Sequence, residues 1–387
     1  MIHDAAKLDS LLALVRTFVR ERWIPNEARV EALDEVPEDL VQEMRDLGFF
    51  GWSIPEAYGG LGLTTEELAL ANFEISRCSA ALRARVGTNT GIGVEGLVAD
   101  GTEAQKRRYL PRLASGELTG CLALTEPEAG SEATNIMSTA VRDDDHYILD
   151  GTKVFITNAP IADLFTIVVR TNQAEPASKG LSALLVERDT PGLSTGRPYR
   201  KMGQAGSPVS EVHMRDCRVP VANLIGGEEG KGFKTVMKTL NKQRVNLAAL
   251  SVGLAARMLD LAIQHAAQRR QFGQPIANFQ LVQAMIADST TEIYAARSMI
   301  LETARKRDRG EDVALEASMC KYFATEMCGR VADRCVQLFG GSGYVADYSP
   351  IERYYRDARL LRLYEGTSQI HQLNIAKLTL RGSRANA

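Results

Sequence analysis

The residues best placed to do chemistry are near the end of the sequence, in Arg356-Asp357-Ala358-Arg359-Leu360-Leu361-Arg362-Leu363-Tyr364-Glu365-Gly366-Thr367-Ser368-Gln369. One carboxylate, Glu365, stands between an aromatic residue and a glycine, with apolar residues and arginines before it. Gly366 breaks the pattern. Thr367-Ser368 then suit the cap of a helix carrying Ile370, Leu373 and Leu378 on one side. A carboxylate in that setting is a candidate base for a dry site. Burial raises its pKa and a helix N-terminus lowers it, so the balance decides whether it takes a proton at neutral pH. The simpler expectation is a helix-entry glutamate that satisfies backbone N–H groups.

Four further stretches have chemical content. Thr125-Glu126-Pro127-Glu128-Ala129-Gly130-Ser131-Glu132 follows an apolar strand, Cys121 to Leu124. It reads either as a β-turn or as a loop whose N–H and O–H groups grip a polar heterocycle or phosphate. Lys153-Val154-Phe155-Ile156-Thr157-Asn158 is a strand ending in a hydroxyl two residues after an aromatic, a pair able to wall and hydrogen-bond a planar ring. Arg269-Arg270-Gln271-Phe272-Gly273-Gln274-Pro275-Ile276 interrupts two long helices. It is an anion-site candidate, although a solvated turn is the usual outcome. Gln337-Leu338-Phe339-Gly340-Gly341-Ser342-Gly343-Tyr344 ends a helix in glycines, as a C-cap or for close backbone approach to a ligand.

Several other chemistries are unsupported. Gly91-Ile92-Gly93-Val94-Glu95-Gly96 matches G-x-G-x-x-G literally, but helical sequence precedes it where a dinucleotide fingerprint needs a strand. Gly341-Ser342-Gly343 fails likewise, and no phosphate-binding G-x-x-x-x-G-K-[ST] is present. The five histidines form no H-E-x-x-H and no i, i+4 pair, so no metal site is expected. No G-x-S-x-G supports a hydrolase nucleophile.

The elements that must position these residues fall into three blocks. Residues 1–118 read as helices, with Leu8, Leu11, Leu12, Val15, Phe18, Val19 and Trp23 at helical spacing, a stop at Gly48 and a capping box at Thr64/Glu67. Residues 119–229 read as a small domain of antiparallel strands, including a hairpin between Thr139–Val141 and Tyr147–Leu149. Residues 230–387 read as a helical bundle with long helices over 231–268, 279–308 and 313–339, followed by a final helix. Length alone argues for two or three domains. Hydrophobic content of 45% and charged content of 24% are those of a globular chain. A net charge of −2 gives no electrostatic reason to expect nucleic acid or anionic membrane as a partner. The six cysteines form no C-x-x-C and suit core positions in a reducing compartment. No basic-then-apolar leader and no apolar run of 18 residues is present, so neither secretion nor membrane spanning is expected.

Taken in order, these segments resemble the acyl-CoA dehydrogenase family of flavoproteins, colinearly from about residue 40 to 378. The motifs that carry the likeness are TEPEAGSE, KVFITN, RRQFGQPI and the run from QLFGGSGY through RDARLLRLYEGTSQI. The resemblance implies an N-terminal helical domain, a middle β-barrel and a C-terminal four-helix bundle. It implies FAD as cofactor, an acyl-CoA substrate, an electron-transfer flavoprotein as partner, and a homotetramer built as a dimer of dimers. Glu365 matches the base that removes the α-proton of an acyl-CoA thioester while the β-hydrogen leaves as hydride to flavin N5, giving a trans-2-enoyl-CoA. Gln243 stands where some members place a base on the long helix, and an amide cannot serve.

For FAD, the likeness points to Leu122, Leu124, Thr125, Gly130, Ser131, Phe155, Ile156, Thr157, Thr367 and Gln369. Arg269, Gln271, Phe272, Gln280, Gln337 and Gly341 match residues that reach the FAD of a neighbouring subunit. For CoA and acyl chain the matches are Ser131, Asn241, Arg244 and Gly366, with Asn241 replacing a common aspartate. Ala205 replaces a common arginine and Glu132 a common aspartate. Arg83 aligns with the arginine that glutaryl-CoA dehydrogenases use to hold a distal carboxylate, so Arg83 or Arg85 is a candidate for dicarboxylyl-CoA selection. A surface arginine on a helix is the simpler expectation. The alternatives on the same fold are an acyl-carrier-protein dehydrogenase, a flavin monooxygenase, a nitroalkane oxidase, a DNA-associated flavoprotein and a catalytically dead scaffold. Cytoplasmic location is expected.

Overall fold

The computed structural model describes residues 2–176 and 178–385. Helix α1 (Ala5–Phe18) runs through a π-helical turn, Val19–Trp23, into α2 (Ile24–Leu33). Leu8, Leu12, Val15 and Phe18 share one face of α1 and are buried, as their spacing requires. Helices α3 (Glu38–Asp46), α4 (Thr65–Ile75), α5 (Ala80–Gly87), α6 (Glu95–Asp100) and α7 (Glu103–Ala114) complete this block. The capping box at Thr64 and Glu67 is present with both of its hydrogen bonds. Helix α5 starts where two carboxylates from elsewhere accept its first N–H groups: Glu27 takes Ser79 N–H and Asp357 takes Ala80 N–H. Those caps tie α5 to α2 and to the C-terminal region.

The middle block is a seven-stranded sheet that curls into a half-barrel. Its strands are β1 (Gly120–Ala123), β2 (Thr139–Asp143), β3 (His146–Thr157), β4 (Leu164–Arg170), β5 (Leu181–Glu187), β6 (Leu193–Thr195) and β7 (Val209–Pro220). The order is β1-β4-β2-β3-β7-β6, with β5 on the other side of β4. The β2–β3 hairpin forms with Val141 opposite Ile148. The sheet is antiparallel except at β4, which runs parallel to β1 and meets β2 in parallel at Thr139/Arg170. The chain leaves β1 through the long loop to Ser138 and the β2–β3 hairpin, a connection long enough for a parallel return.

The last block contains α8 (Gly232–Gln268), α9 (Gln280–Asp308), α10 (Ala314–Phe339), α11 (Gly341–Tyr344), α12 (Ile351–Leu360) and α13 (Ser368–Ala385). A short hairpin of β8 (Arg270–Gln271) and β9 (Gln274–Pro275) joins α8 to α9. The expected long helices are present, and α12 is an addition. One apolar core joins α8, α9, α10 and α12, and it contains Cys320, Cys328 and Cys335. Helix α8 is long and apolar enough to cross a membrane, but 72% of its most apolar window is buried within the protein. It is the central core helix of the bundle. Asp308 ends α9 by accepting the Thr65 and Glu66 N–H groups, which fastens the bundle to α4.

Candidate active site around Glu365

Glu365 lies on the turn between α12 and α13. Its backbone is left-handed (φ 56°), as is that of Gly366 (φ 96°). Thr367 accepts the Ile370 N–H through its hydroxyl at 3.3 Å, as a cap for α13 should. The Glu365 carboxylate does not satisfy backbone N–H groups. Its Oε2 is closed off from solvent and has no hydrogen-bond partner among the described residues, which overturns the helix-entry reading. Three cations from three helices act on its charge: Arg83 of α5, Lys321 of α10 and Arg244 of α8. Burial raises the Glu365 pKa, and the three cations oppose that rise without cancelling it. The group is therefore a stronger base than a solvated carboxylate, held where its charge is still supported.

Arg83 is not a surface residue. It is 8% exposed, and its Nε–H donates to Asn72 Oδ1 at 2.7 Å. Burial lowers its pKa, and the Glu365 charge acts the other way. Arg85 points elsewhere. Its guanidinium lies over the Phe50 ring at 5.1 Å, and its Nη1 reaches Thr119 Oγ1 at 3.4 Å. Burial brings Arg85 down to about 10. Of the two candidates, only Arg83 is coupled to the Glu365 charge. The difference is their offset of two on a helix, which turns neighbouring side chains about 200° apart.

On α8, Arg244 is buried and its Nη1 donates to Asn241 Oδ1 at 2.8 Å, while its Nε is buried without a partner. Gln243 is also buried, against Gly91, where an added Cβ would come within 2.3 Å of its Oε1. The glycine-rich stretch thus serves close packing on α8, and a π-helical turn (Thr88–Ile92) precedes Gly93 where a dinucleotide fold would need a strand. Two residues at this site went unread in the sequence. Lys321 Nζ donates to the Gly366 carbonyl at 2.6 Å, and His371 Nε2 lies 3.2 Å from the Glu365 carbonyl. The only sequence signal was a lysine inside the apolar pattern of a long helix, which periodicity alone cannot tell from a register slip.

The second wall comes from the sheet. The β3–β7 register slips between Lys153 and Ile156, a bulge at Val154-Phe155. Phe155 takes a left-handed backbone there (φ 59°), and its ring stands 69% exposed beside Tyr199. Bulges re-aim side chains, and a strained aromatic persists only where its surroundings require it. Thr125 accepts the Val154 N–H at 2.8 Å, which brings the TEPEAGSE loop to this bulge. The buried pair Glu126–Lys153 fixes that loop. Lys153 Nζ donates to Glu126 Oε1 at 2.7 Å and to the Leu124 carbonyl at 3.2 Å. Asn158 then joins sheet to helix, donating to the Ala84 carbonyl and to the Thr88 hydroxyl.

Half-buried Leu122, Leu124, Thr125 and Thr157, with exposed Gly130, Ser131 and Phe155, thus give apolar surface, one aromatic face and hydroxyl donors. That donor set fits a planar heterocycle with amide edges. The Ile156 side chain is packed into the sheet core, so its backbone is the part available to a cofactor. Thr367 is half-buried and Gln369 exposed on α13.

The other group of sites is remote. Arg269 caps the end of α8, 25 positions after Arg244, which puts it roughly 37 Å away at 1.5 Å per residue. The stacking of His265 on Phe339, with centroids 4.2 Å apart, draws the end of α10 to the end of α8. Gln337 and Gly341 are therefore grouped with Arg269, Gln271 and Phe272 at that far end, and Gln280 opens α9 there. All are exposed, Phe272 by 93%. Ala205 lines a polar surface cavity of about 250 Å³ with Glu31, Asp34, Arg200, Lys201 and Gly203.

Left-handed non-glycine residues number eight among the described residues, and three are aspartates, which tolerate that conformation. The other five are Phe155, Asn158, Gln204, Phe272 and Glu365. Asparagine tolerates it too, so the strained positions are Phe155, Phe272 and Glu365, each on one of the motifs, and Gln204 beside Ala205.

Comparison with known proteins agrees with this geometry. Residues 6–117, 121–217 and 230–380 match the N-terminal, middle and C-terminal domains of acyl-CoA dehydrogenase. An acyl-CoA dehydrogenase of Bacillus subtilis is 40% identical over 370 residues, 96% of this chain and 97% of that one. The caffeyl-CoA reductase-Etf complex subunit CarC of Acetobacterium woodii is 37% identical, covering 95% and 98%. The solved structure of a glutaryl-coenzyme A dehydrogenase glutaryl-CoA complex superposes with a TM-score of 0.92 at 36% identity, covering 98% and 96%. The chain belongs to the acyl-CoA dehydrogenase family and is an FAD-dependent oxidoreductase.

Proposed function

We propose that this protein desaturates an acyl-CoA thioester between Cα and Cβ to the trans-2-enoyl-CoA, with Glu365 as the base, and passes the electrons to an electron-transfer flavoprotein. The observation that carries this reading is the Glu365 Oε2, closed off from solvent and without a hydrogen-bond partner among the described residues, with Arg83, Lys321 and Arg244 supporting the carboxylate's charge. A thioester α-proton is far less acidic than a carboxylic acid, and each unit of mismatch costs about 1.4 kcal/mol. Burial narrows that gap by making Glu365 more basic. The three cations keep the carboxylate ionised until it takes the proton. The Glu365 backbone N–H is the proposed donor to the thioester carbonyl, and one such donor contributes about 3–4 kcal/mol. When bound, FAD supplies the acceptor for the β-hydrogen and its electron pair. Thr125, Ser131, Phe155 and Thr157 would hold its ring system, and Gly366 with Ser131, Asn241 and Arg244 would hold the substrate.

The Etf complex named for the Acetobacterium woodii relative supports the electron partner. Arg83 supports a second reading of the substrate as a thioester with a distal carboxylate, because this buried cation, coupled to the Glu365 charge, forms no ion pair with a carboxylate among the described residues. The distance of the Arg269 group from Arg244, together with exposed Phe272, Leu281 (80%) and Tyr294 (73%), supports a homotetramer in which that group reaches a neighbouring subunit's FAD. Six free, buried cysteines support the cytoplasm.

Anaerobic visible titration tests the reaction. Acyl-CoAs from butyryl to palmitoyl, with isobutyryl, isovaleryl and glutaryl, are added to the purified flavoprotein. Bleaching by one class, lost in Glu365→Gln, is the expected result. A flavin band that no thioester bleaches would refute the proposal.

A further inference from the structure

The turn that carries Glu365 pairs two left-handed residues in succession, Glu365 and Gly366. That conformation is unfavourable for a residue with a side chain, because its Cβ crowds the following carbonyl oxygen. It persists only where neighbours hold it. Two buried side chains do so, from different helices. Lys321 of α10 donates to the Gly366 carbonyl at 2.6 Å, and His371 of α13 meets the Glu365 carbonyl at 3.2 Å. Both are fully buried. Burial, with Arg244 and Lys321 adding to it, pushes His371 down to about 3, so the ring is neutral at working pH. A neutral ring facing a carbonyl carries its proton on Nε2. Its Nδ1 is then an acceptor, buried without a partner.

Lys321 has a second effect. Burial lowers it to about 8, against the pull of Glu365, so it is charged at neutral pH. The groups whose charge acts on Glu365 are Arg83 from α5, Arg244 from α8 and Lys321 from α10; Tyr364 is coupled to it, and His371 meets its carbonyl. Among them Lys321 alone both opposes the rise in the Glu365 pKa and grips the same turn's backbone.

We propose that Lys321 and His371 are positioning residues that clamp the two carbonyls of the Glu365–Gly366 turn, and that Lys321 also holds the base ionised. This rests on Glu365 acting as the base. A displacement of 1 Å at a reacting group can cost on the order of 100-fold in rate. Releasing either carbonyl frees the turn to relax from its strained path.

The experiment compares wild type, Lys321→Met, Lys321→Arg, His371→Gln and His371→Leu, each checked for bound flavin. Wild type first establishes bleaching and α-proton exchange of an acyl-CoA in D2O. In Lys321→Met, kcat and exchange fall on the order of 100-fold, KM changes little, and the acid limb of kcat/KM moves to higher pH. Lys321→Arg keeps the limb in place because the charge remains. His371→Gln, whose amide can donate to the same carbonyl, retains more rate than His371→Leu. Difference infrared titration of the Glu365 carboxylate, assigned by its loss in Glu365→Gln, reads the same shift without turnover. An unmoved Glu365 titration in Lys321→Met overturns the electrostatic role, and wild-type kcat in His371→Leu overturns the clamp. If Lys321→Met does not fold, Lys321→Arg and His371→Leu decide the matter. If wild type bleaches with no thioester, the reading of the reaction falls, while the infrared titration still judges Lys321.

Discussion

Gly87→Ala adds one methyl group at the end of α5 and leaves every charge in place. Its Cβ would stand 1.7 Å from Arg83 Nη1 and 3.0 Å from Cζ. Ordinary contact begins near 3.4 Å, so the guanidinium must retreat by roughly 1.7 Å. The Arg83–Asn72 hydrogen bond of 2.7 Å has no slack for that movement. A buried hydrogen bond to a charged group contributes about 1.5–3 kcal/mol. Against this, replacing glycine by alanine inside a helix stabilises by about 0.5–1 kcal/mol. The net loss of about 1–2 kcal/mol lowers Tm by only a few degrees in a chain of this size. The functional effect is larger and selective. If Arg83 holds a distal carboxylate, moving it lowers kcat/KM for glutaryl-CoA by roughly ten- to hundredfold, the factor equivalent to one charge-assisted hydrogen bond. Butyryl-CoA, which lacks that group, should change less than about threefold. Melting curves and anaerobic flavin reduction with the two thioesters measure both quantities. Equal changes for both substrates, or none, would show that the position of Arg83 does not select the acyl group.

Two further outcomes follow from the buried carboxylates. Lys153→Met strands Glu126, whose remaining partners are the Met137 and Ser138 N–H groups. Breaking such a pair costs about 3–5 kcal/mol, and freeing the Leu124 carbonyl loosens the TEPEAGSE loop. Lower Tm with a lower flavin-to-protein ratio is expected, and an unchanged flavin ratio would separate that pair from the cofactor site. Asp357, wholly buried, is raised by desolvation from 3.8 to about 6. A carboxyl raised on folding gives stability that is complete below its unfolded pKa and lost as pH rises through the folded one. Between about pH 4 and 6 the Asp357 contribution should therefore decline with rising pH. The decline should vanish in Asp357→Asn when denaturant melts are compared at pH 4.5 and 7; the same pH slope in both proteins would exclude Asp357 as its source.

Much of this architecture could be read in the sequence because local rules carried it. Apolar spacing placed α1 and the long helices, Thr64/Glu67 marked a helix start, and Gly48 marked a stop with its left-handed backbone. The parallel pairing of β1 with β4 could not be read, since strand direction depends on the route the chain takes between them. Helix α12 was missed although Ile351, Tyr354 and Ala358 keep helical spacing, because it is only ten residues long and charged on its other face; its burial comes from contact with α10.

By itself the sequence determined that Glu365 is a carboxylate at a glycine turn, that Phe155 and Thr157 end a strand, and that Gln243 cannot act as a base. Residue chemistry and near-neighbour spacing suffice for such statements. Only the tertiary structure decided that Arg83 is buried toward Glu365 while Arg85 turns to Phe50. It alone brought Lys321 onto the carbonyl of Gly366, 45 positions later, next to the base. The reason is physical: a pKa is set by desolvation and by charges within a few ångströms, and here those charges come from α5, α8 and α10, which are adjacent in space and far apart along the chain.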